Sequence, residues 1–140
     1  MLVRDMLLRK DRGRYVATIR PEASVRDLLD RLVTDRVGAL VVSSDGRTIV
    51  GIVSERDVVR GLHAQGAPLL GLPVESIMTP GDEVKVTTEA ASVEEMMRLM
   101  TEERIRHVPV VSEDRLVGIV SIGDVVKSRM DLLIEYITSG

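Results

Sequence analysis

The feature that most constrains this sequence is a ten-residue stretch that occurs twice. Residues 50–59 and residues 117–126 are identical at eight of ten positions. Each copy is a short apolar run, a serine, two further residues and an aspartate that opens a second apolar segment. This pattern is typical of a strand that runs directly into a helix. A chain with such a repeat is expected to fold as two similar units.

The repeat extends upstream of this stretch. Residues 24–29, 35–37 and 38–42 match residues 92–97, 103–105 and 106–110, and residues 3–7 resemble residues 74–78. We therefore divide the 140 residues into a first repeat with an N-terminal helix (1–66), a linker with glycine and proline (67–73), and a second repeat with a C-terminal helix (74–140). Because each half is small, we expect the two repeats to share one core.

The hydrophobic periodicity predicts a β-α-β-β-α order in each repeat, and so an α/β (α+β) fold. The helix expected over residues 25–34 has Val25, Leu28 and Leu32 on one face, and Ser24 can cap it. The predicted helices cover residues 3–9, 25–34, 56–63, 74–78, 93–101 and about 124–136. The predicted strands cover residues 15–19, 39–43, 48–54, 84–87, 108–111 and 116–120. Residues 11–14 are expected to break the first helix, and residues 44–46 and 112–114 to form turns.

Composition excludes several classes of function. The net charge of −3 and the absence of Phe and Trp argue against nucleic-acid binding. The chain has no cysteine and only two histidines, which argues against disulfides and transition-metal sites. No signal peptide and no apolar stretch of membrane-spanning length is present, so we expect a cytoplasmic protein.

The repeated serine and aspartate, Ser54 with Asp57 and Ser121 with Asp124, have two compatible interpretations. They can simply cap a helix, because a carboxylate suits the positive end of the helix dipole. They can also bind a nucleotide: the carboxylate accepts hydrogen bonds from ribose hydroxyls, while the serine and the helix N-terminus face a phosphate.

Basic residues near the predicted strands are the other candidates. Arg36 and Arg104 occupy matching positions, and the second repeat adds Arg106 and His107. Guanidinium groups suit phosphate, but each arginine can equally be a solvated charge, and His107 can be a core histidine. We find no catalytic triad, phosphate-binding loop or dinucleotide motif, so we do not expect an enzyme.

With its two motifs at this spacing, the chain resembles a CBS-domain pair (Bateman module) of the stand-alone bacterial or archaeal type. The resemblance implies two tandem repeats packed sheet to sheet with pseudo-two-fold symmetry. It also implies binding of AMP, ADP or ATP, or in some members of NAD(H) or S-adenosylmethionine, as a regulatory ligand, with no required cofactor. A homodimer and an unidentified effector protein are the implied partners, with no nucleic acid and no membrane.

The resemblance also implies roles for individual residues. Asp57 and Asp124 would bind ribose, with Ser54 and Ser121 beside them, and Arg36 and Arg104 would contact phosphate. The remaining candidates, around the adenine and the phosphate, are Arg20, Gly38, Ala39, Leu40, Arg56, Thr88, Arg106, His107, Val108 and Pro109.

Two alternatives to a sensor remain at this point. The repeats differ at Arg20 against Thr88 and at Val41 against Pro109, so the two sites are not expected to be equivalent. If both have degenerated, the chain is a structural dimerisation scaffold. A relative of inosine monophosphate dehydrogenase is the enzymatic alternative, but its catalytic barrel needs about 250 residues and no spare length exists here.

Overall fold

A computed structural model describes residues 1–10 and 16–139. Within these residues the fold consists of five α-helices and two sheets. In chain order the elements are α1 (Val3–Leu8), β1 (Thr18–Ile19), α2 (Val25–Asp35), β2 (Ala39–Val42), β3 (Gly51–Ser54), α3 (Glu55–Gln65), β4 (Thr79–Pro80), β5 (Thr87–Thr88), α4 (Val93–Glu103), β6 (His107–Ser112), β7 (Arg115–Ser121) and α5 (Ile122–Ser139). The predicted α/β (α+β) class is confirmed.

The chain divides into two compact units. The central unit is Ala17–Val84 and contains the sheet β1-β2-β3-β4; the terminal unit is Met1–Val16 with Lys85–Gly140 and contains the sheet β5-β6-β7. In each sheet the first strand pairs parallel with the second, and the second pairs antiparallel with the third. The first three strands of the central sheet therefore have the same arrangement as β5-β6-β7, as the repeat predicts, and the central sheet adds β4 antiparallel to β3.

The packed units cut across the sequence repeats. Helix α1 precedes the first repeat but belongs to the terminal unit, where the Val3 amide donates to the Ala91 carbonyl (2.8 Å). In the matching way, the Val74 amide donates to the Ala23 carbonyl (2.7 Å) inside the central unit. The division at 1–66, 67–73 and 74–140 follows the sequence, whereas backbone hydrogen bonds assign the segment before each repeat to the other unit.

Most of the buried apolar residues form two clusters, one in each unit, and the expectation that the two repeats share one core stays a prediction. Leu28, Leu40 and Leu69 are among the buried side chains of the central unit. Val3 and Met96 are among those of the terminal unit. Each unit completes its own core with the segment that it receives from the other repeat, which explains how such a small unit buries enough surface.

Element boundaries differ from the predictions at a few places. Strand β3 begins at Gly51 rather than residue 48, because Asp45 holds Thr48 in the preceding turn. The stretch predicted as a linker contains a 3₁₀ helix, Ala67–Gly71, whose Leu69 is fully buried. Residues 74–78 form only a short 3₁₀ turn, Val74–Ser76, and β5 lies at Thr87–Thr88 rather than at 84–87.

Some predictions fall on residues that the structure does not describe. The predicted helix break at residues 11–14 and the start of the predicted strand at residue 15 lie outside the described ranges. Among the helices that are described, none has both the length and the apolar character required to cross a bilayer.

Candidate functional site

The junction of β3 and α3 presents the first serine–aspartate pair. Ser54 ends the strand and caps the helix: the Ser54 amide donates to Oδ2 of Asp57 (2.8 Å), and the Asp57 amide donates to Oγ of Ser54 (3.4 Å). The serine hydroxyl also donates to Oδ2 of Asp57 (3.2 Å). The capping interpretation is therefore confirmed. Both hydrogen bonds to the Asp57 carboxylate use the same oxygen, Oδ2.

The junction of β7 and α5 repeats this arrangement. The Ser121 amide donates to Oδ2 of Asp124 (2.8 Å), and the Asp124 amide donates to Oγ of Ser121 (3.1 Å). Within the described part of the chain, Oδ1 accepts no hydrogen bond in either aspartate. Each pair thus offers a free carboxylate oxygen beside a helix N-terminus, where a ligand hydroxyl can donate to it.

The two aspartates differ in one respect that the sequence did not indicate. Nζ of Lys10, which follows α1, lies 2.9 Å from Oδ2 of Asp124 and 2.6 Å from the Ile119 carbonyl oxygen. No described residue forms a salt bridge with Asp57. The role of Lys10 was not predictable from the sequence, because more than 100 residues separate Lys10 from its partners.

The neighbouring strands place four further candidates beside the pairs. Ala39 lies opposite Ser54 in the β2–β3 register, and His107 lies opposite Ser121 in the β6–β7 register. The Gly38 carbonyl accepts from the amide that follows Ser54 (3.0 Å), and the Arg106 carbonyl accepts from the amide that follows Ser121 (2.8 Å). The start of the middle strand therefore forms one wall of each candidate site.

The apolar candidates lie further along the same strands. Leu40 is buried in the core cluster of the central unit, and Val108 is buried in that of the terminal unit. Pro109 is buried as well. The side chains of Leu40 and Val108 therefore belong to the cores, and contact of their backbone groups with adenine stays a prediction.

Arg36 and Arg104 have the same structural role in the two units. Each ends a helix in the left-handed conformation, with φ of 55° and 54°, and its amide donates to a carbonyl of the last helical turn. Both side chains are exposed. Any residue can donate through its backbone amide, and a left-handed residue after a helix is most often glycine, so this role does not explain the two arginines. Phosphate contact stays a prediction for them, as it does for the exposed Arg56 and Arg106.

Arg20 and Thr88 lie away from the serine–aspartate pairs within their own units. Arg20 follows β1, where its guanidinium contacts Glu22 (3.0 Å) and the Ser44 carbonyl (3.1 Å) at the far end of the hairpin. Thr88 pairs with Val111, four residues along β6 from His107, or ~13 Å at the strand rise. The fold thus does not bring these two residues to the pair in their own unit, and their membership of a site stays a prediction.

No group of three or more His, Asp or Glu side chains in the described ranges could hold a metal ion. The chemistry that the sites offer is therefore that of hydrogen bonding: a carboxylate oxygen, a serine hydroxyl and a helix N-terminus. This set suits a diol and a phosphate on one ligand.

Known proteins have similar sequences and the same fold. The CBS-domain protein ATU1752 of Agrobacterium tumefaciens has a similar structure, with a TM-score of 0.86, 40% identity, and coverage of 92% of this chain and 99% of that one. The mitochondrial CBS domain-containing protein CBSX3 of Arabidopsis thaliana is 38% identical over 75% of this chain. This chain spans about half (52%) of the length of that plant protein.

Two similar structures contain ligands. CBSX2, in complex with AMP, has a TM-score of 0.75 and 30% identity, over 94% of this chain and 97% of that one. The CBS domain pair of protein MJ0100, in complex with 5′-methylthioadenosine and S-adenosyl-L-methionine, has a TM-score of 0.78 and 25% identity, over 91% and 98%. The CBS domain profile matches residues 5–64 and again residues 74–131. The chain belongs to the CBS-domain family, and it carries two copies of the domain.

Proposed function

We propose that this chain is a non-enzymatic regulatory module that binds an adenine nucleotide, with AMP, ADP or ATP as the principal ligands. The observation that carries the proposal is the duplicated pair, Ser54 with Asp57 and Ser121 with Asp124. In each pair Oδ2 caps a helix while Oδ1 is left without a hydrogen-bond donor from the described residues. A ribose diol can supply that donor.

The surroundings of each pair fit the rest of a nucleotide. The serine hydroxyl and the first amides of α3 or α5 stand at a helix N-terminus, which favours a phosphate. The edge formed by Gly38–Ala39, or by Arg106–His107, presents backbone groups next to the pair. Adenine is recognised by such backbone donors and acceptors as readily as by side chains.

The ligands of similar proteins support the same chemistry. AMP, 5′-methylthioadenosine and S-adenosylmethionine, named for CBSX2 and MJ0100, all contain adenosine. Adenosine is therefore the shared element, and the group on its 5′ carbon varies. NAD(H) and S-adenosylmethionine remain the competing ligands for this chain.

A sensor must also transmit ligand binding to a change in its own assembly or in a partner protein. We propose that ligand binding changes the shape of a homodimer, or the affinity for an effector protein, by stabilising one conformation over another. Helix α5 supports the homodimer, since several large apolar side chains on it are exposed, Met130, Leu133, Ile134 and Ile137 among them. A structural scaffold with inactive sites is the alternative, and the same apolar helix would serve it.

Calorimetric titration tests the nucleotide proposal. Purified protein, shown to be free of co-purified nucleotide, is titrated with AMP, ATP, NADH and S-adenosylmethionine. Asp57→Ala and Asp124→Ala should each remove one site, and together they should remove all binding. Asp27→Ala is the matched control, because Ser24 and Asp27 form a similar cap on a different helix, α2.

The outcomes separate the two functions. Binding of an adenosine ligand that both aspartate variants reduce, and that Asp27→Ala leaves unchanged, supports the sensor. No binding of any of the four compounds to the wild-type protein would leave the scaffold as the function. Binding that survives in the double variant would mean that the ligand site lies elsewhere.

A further inference from the structure

The two candidate sites differ in charge at the aspartate. In the terminal unit Nζ of Lys10 contacts Oδ2 of Asp124 at 2.9 Å, and both side chains are largely covered, with exposed fractions of 30% and 25%. In the central unit the corresponding oxygen of Asp57 receives the neutral hydroxyl of Ser54 instead. Aligning residues 3–7 with 74–78 places Gly81 opposite Lys10, so the central unit has no equivalent cation.

We propose that Lys10 is a specificity-determining residue that makes the terminal-unit site select phosphorylated adenosine ligands over uncharged ones. The inference rests on the proposed function, since it assumes that Asp124 binds the ribose. The inference states which class of ligand the terminal-unit site prefers. It also explains why this preference differs from that of the site at Asp57.

The physical reason is charge balance. A ligand that donates its ribose hydroxyls to a carboxylate brings its 5′-phosphate within one nucleoside length of that carboxylate. This separation is comparable to the Debye length of ~8 Å at physiological ionic strength, so salt screens the repulsion only in part. At Asp124 the ammonium of Lys10 cancels the carboxylate charge, whereas at Asp57 the carboxylate charge has no such partner among the described residues.

The position of Lys10 supports a role at the site rather than a general surface pairing. Its second acceptor, the Ile119 carbonyl, belongs to β7, the strand that leads into Ser121, so the ammonium is fixed by two groups of the site region. The adjacent residue Arg9 shows what an ordinary surface pair looks like here. Its guanidinium lies 3.8 Å from Asp131, with about half of each side chain exposed.

This pair of neighbours provides a matched experiment. In an Asp57→Ala background, which leaves only the terminal-unit site, we would compare Lys10→Met and Lys10→Arg with Arg9→Met. Lys10→Met and Arg9→Met each remove one positive charge from the same segment, whereas Lys10→Arg keeps the charge. AMP and adenosine are the two probes, because they differ only in the phosphate, and the readout is the ratio of their dissociation constants at low and moderate salt.

We expect Lys10→Met to weaken the binding of AMP by about tenfold relative to the binding of adenosine. This effect of the substitution should be smaller at higher salt. Lys10→Arg and Arg9→Met should keep the ratio of the parent protein. Adenosine affinity should stay within about twofold in all three variants.

Three results would overturn the inference. An unchanged ratio in Lys10→Met would mean that Lys10 only holds the segment after α1 in place. Tighter binding of both probes in Lys10→Met would mean that Lys10 obstructs the site. If neither probe binds the wild-type protein, the Asp57→Ala parent or any variant, the proposed function is overturned, and the inference with it.

Discussion

Gly118 of β7 lies directly against Leu7 of α1, so closely that a Cβ atom on Gly118 would fall 2.6 Å from Cδ2 of Leu7. The matching glycine of the central unit, Gly51, has the matching neighbour: its Cβ would fall 2.6 Å from Sδ of Met78. The two contacts show that the segment before each repeat is seated on a glycine of the unit that receives it. Close packing of a helix or turn on a strand is what requires glycine at both positions.

Gly118→Ala should therefore destabilise the protein. The added methyl group has to displace Leu7, and overpacking of this kind costs ~1–3 kcal/mol. The free energy of unfolding in urea measures the effect. Gly123→Ala is the control, because its Cβ would meet only Oγ of Ser121 at 3.6 Å, and alanine near the start of α5 should be neutral or slightly stabilising.

Leu7→Ala should also be destabilising, by ~2–5 kcal/mol, because Leu7 is buried and its removal leaves a cavity above β7. The double variant with Gly118→Ala is more informative than either single change. The new methyl group fills part of that cavity, so the double variant should be more stable than the sum of the two single losses allows. Strict additivity would contradict the contact that we describe between α1 and β7.

The repeat and the hydrophobic periodicity predicted most of the secondary structure, because local patterns determine caps and helix faces. Helices α2 and α4 begin at the predicted residues, and Ser24 and Ser54 cap helices as expected. The exchange of segments between the repeats was not predictable from such patterns. It depends on hydrogen bonds such as that from Val3 to Ala91, which join residues far apart in the chain.

The candidate sites, like the fold, were predictable where residues close in the sequence act together and not where distant residues meet. Ser54, Asp57, Ser121 and Asp124 lie within one strand–helix junction each, so spacing alone indicated that they act together. Arg36 was harder to interpret, because the sequence does not reveal that it ends α2 in a left-handed conformation. The contact of Lys10 with Asp124 was invisible in the sequence, since it arises only when α1 packs in the terminal unit.

Asp57 should contribute to stability as well as to binding. Its carboxylate accepts the Ser54 amide, so Asp57→Ala should cost ~0.5–1.5 kcal/mol of unfolding free energy, the usual net contribution of one hydrogen bond. Asp27→Ala should cost less: the Ser24 hydroxyl caps α2 by accepting from the backbone amide of Asp27, which the substitution retains. Equal losses in the two variants would show that the bond from Ser54 to Asp57 adds no stability.

Asp45 should make the stability of the protein depend on acid pH. The backbone amides of Thr48 and Arg47, and the Thr48 hydroxyl, donate to its carboxylate and hold the pKa of Asp45 well below its ordinary value. A lowered pKa means that the folded protein binds this proton less readily than the unfolded chain. The contribution is then complete above the ordinary pKa of about 3.9 and is lost as the pH falls below it.

Asp45→Ala should therefore be less stable than the wild-type protein at pH 7, and the difference should begin to shrink at about pH 4 and go on shrinking as the pH falls further. Urea unfolding at a series of pH values measures it. Arg47→Ala is the control, because Arg47 contributes its backbone amide to this turn and the substitution keeps that amide. A difference that stays constant across the pH series would show that the turn does not depend on the charge of Asp45.

The exposed face of α5 leads to the last prediction, that two copies of the chain associate through this helix. Val126, Met130, Leu133 and Ile137 are exposed and recur at helical spacing, which forms an apolar stripe along the 18-residue helix. In an antiparallel pair centred between residues 131 and 132, Met130 of one copy faces Leu133 of the other, and Val126 faces Ile137.

Leu133→Lys should then raise the dissociation constant of the dimer by about thirtyfold or more. This corresponds to a loss of ~2 kcal/mol of association free energy at the centre of the interface. Light scattering on protein eluting from a sizing column, over a range of concentrations, gives the dissociation constant. Val33→Lys is the control, because Val33 is an exposed apolar residue on α2, outside the stripe. If Val33→Lys dissociates the dimer and Leu133→Lys does not, the interface lies on another face. A wild-type protein that stays monomeric at high concentration would instead show that the stripe binds a different protein or remains in solvent.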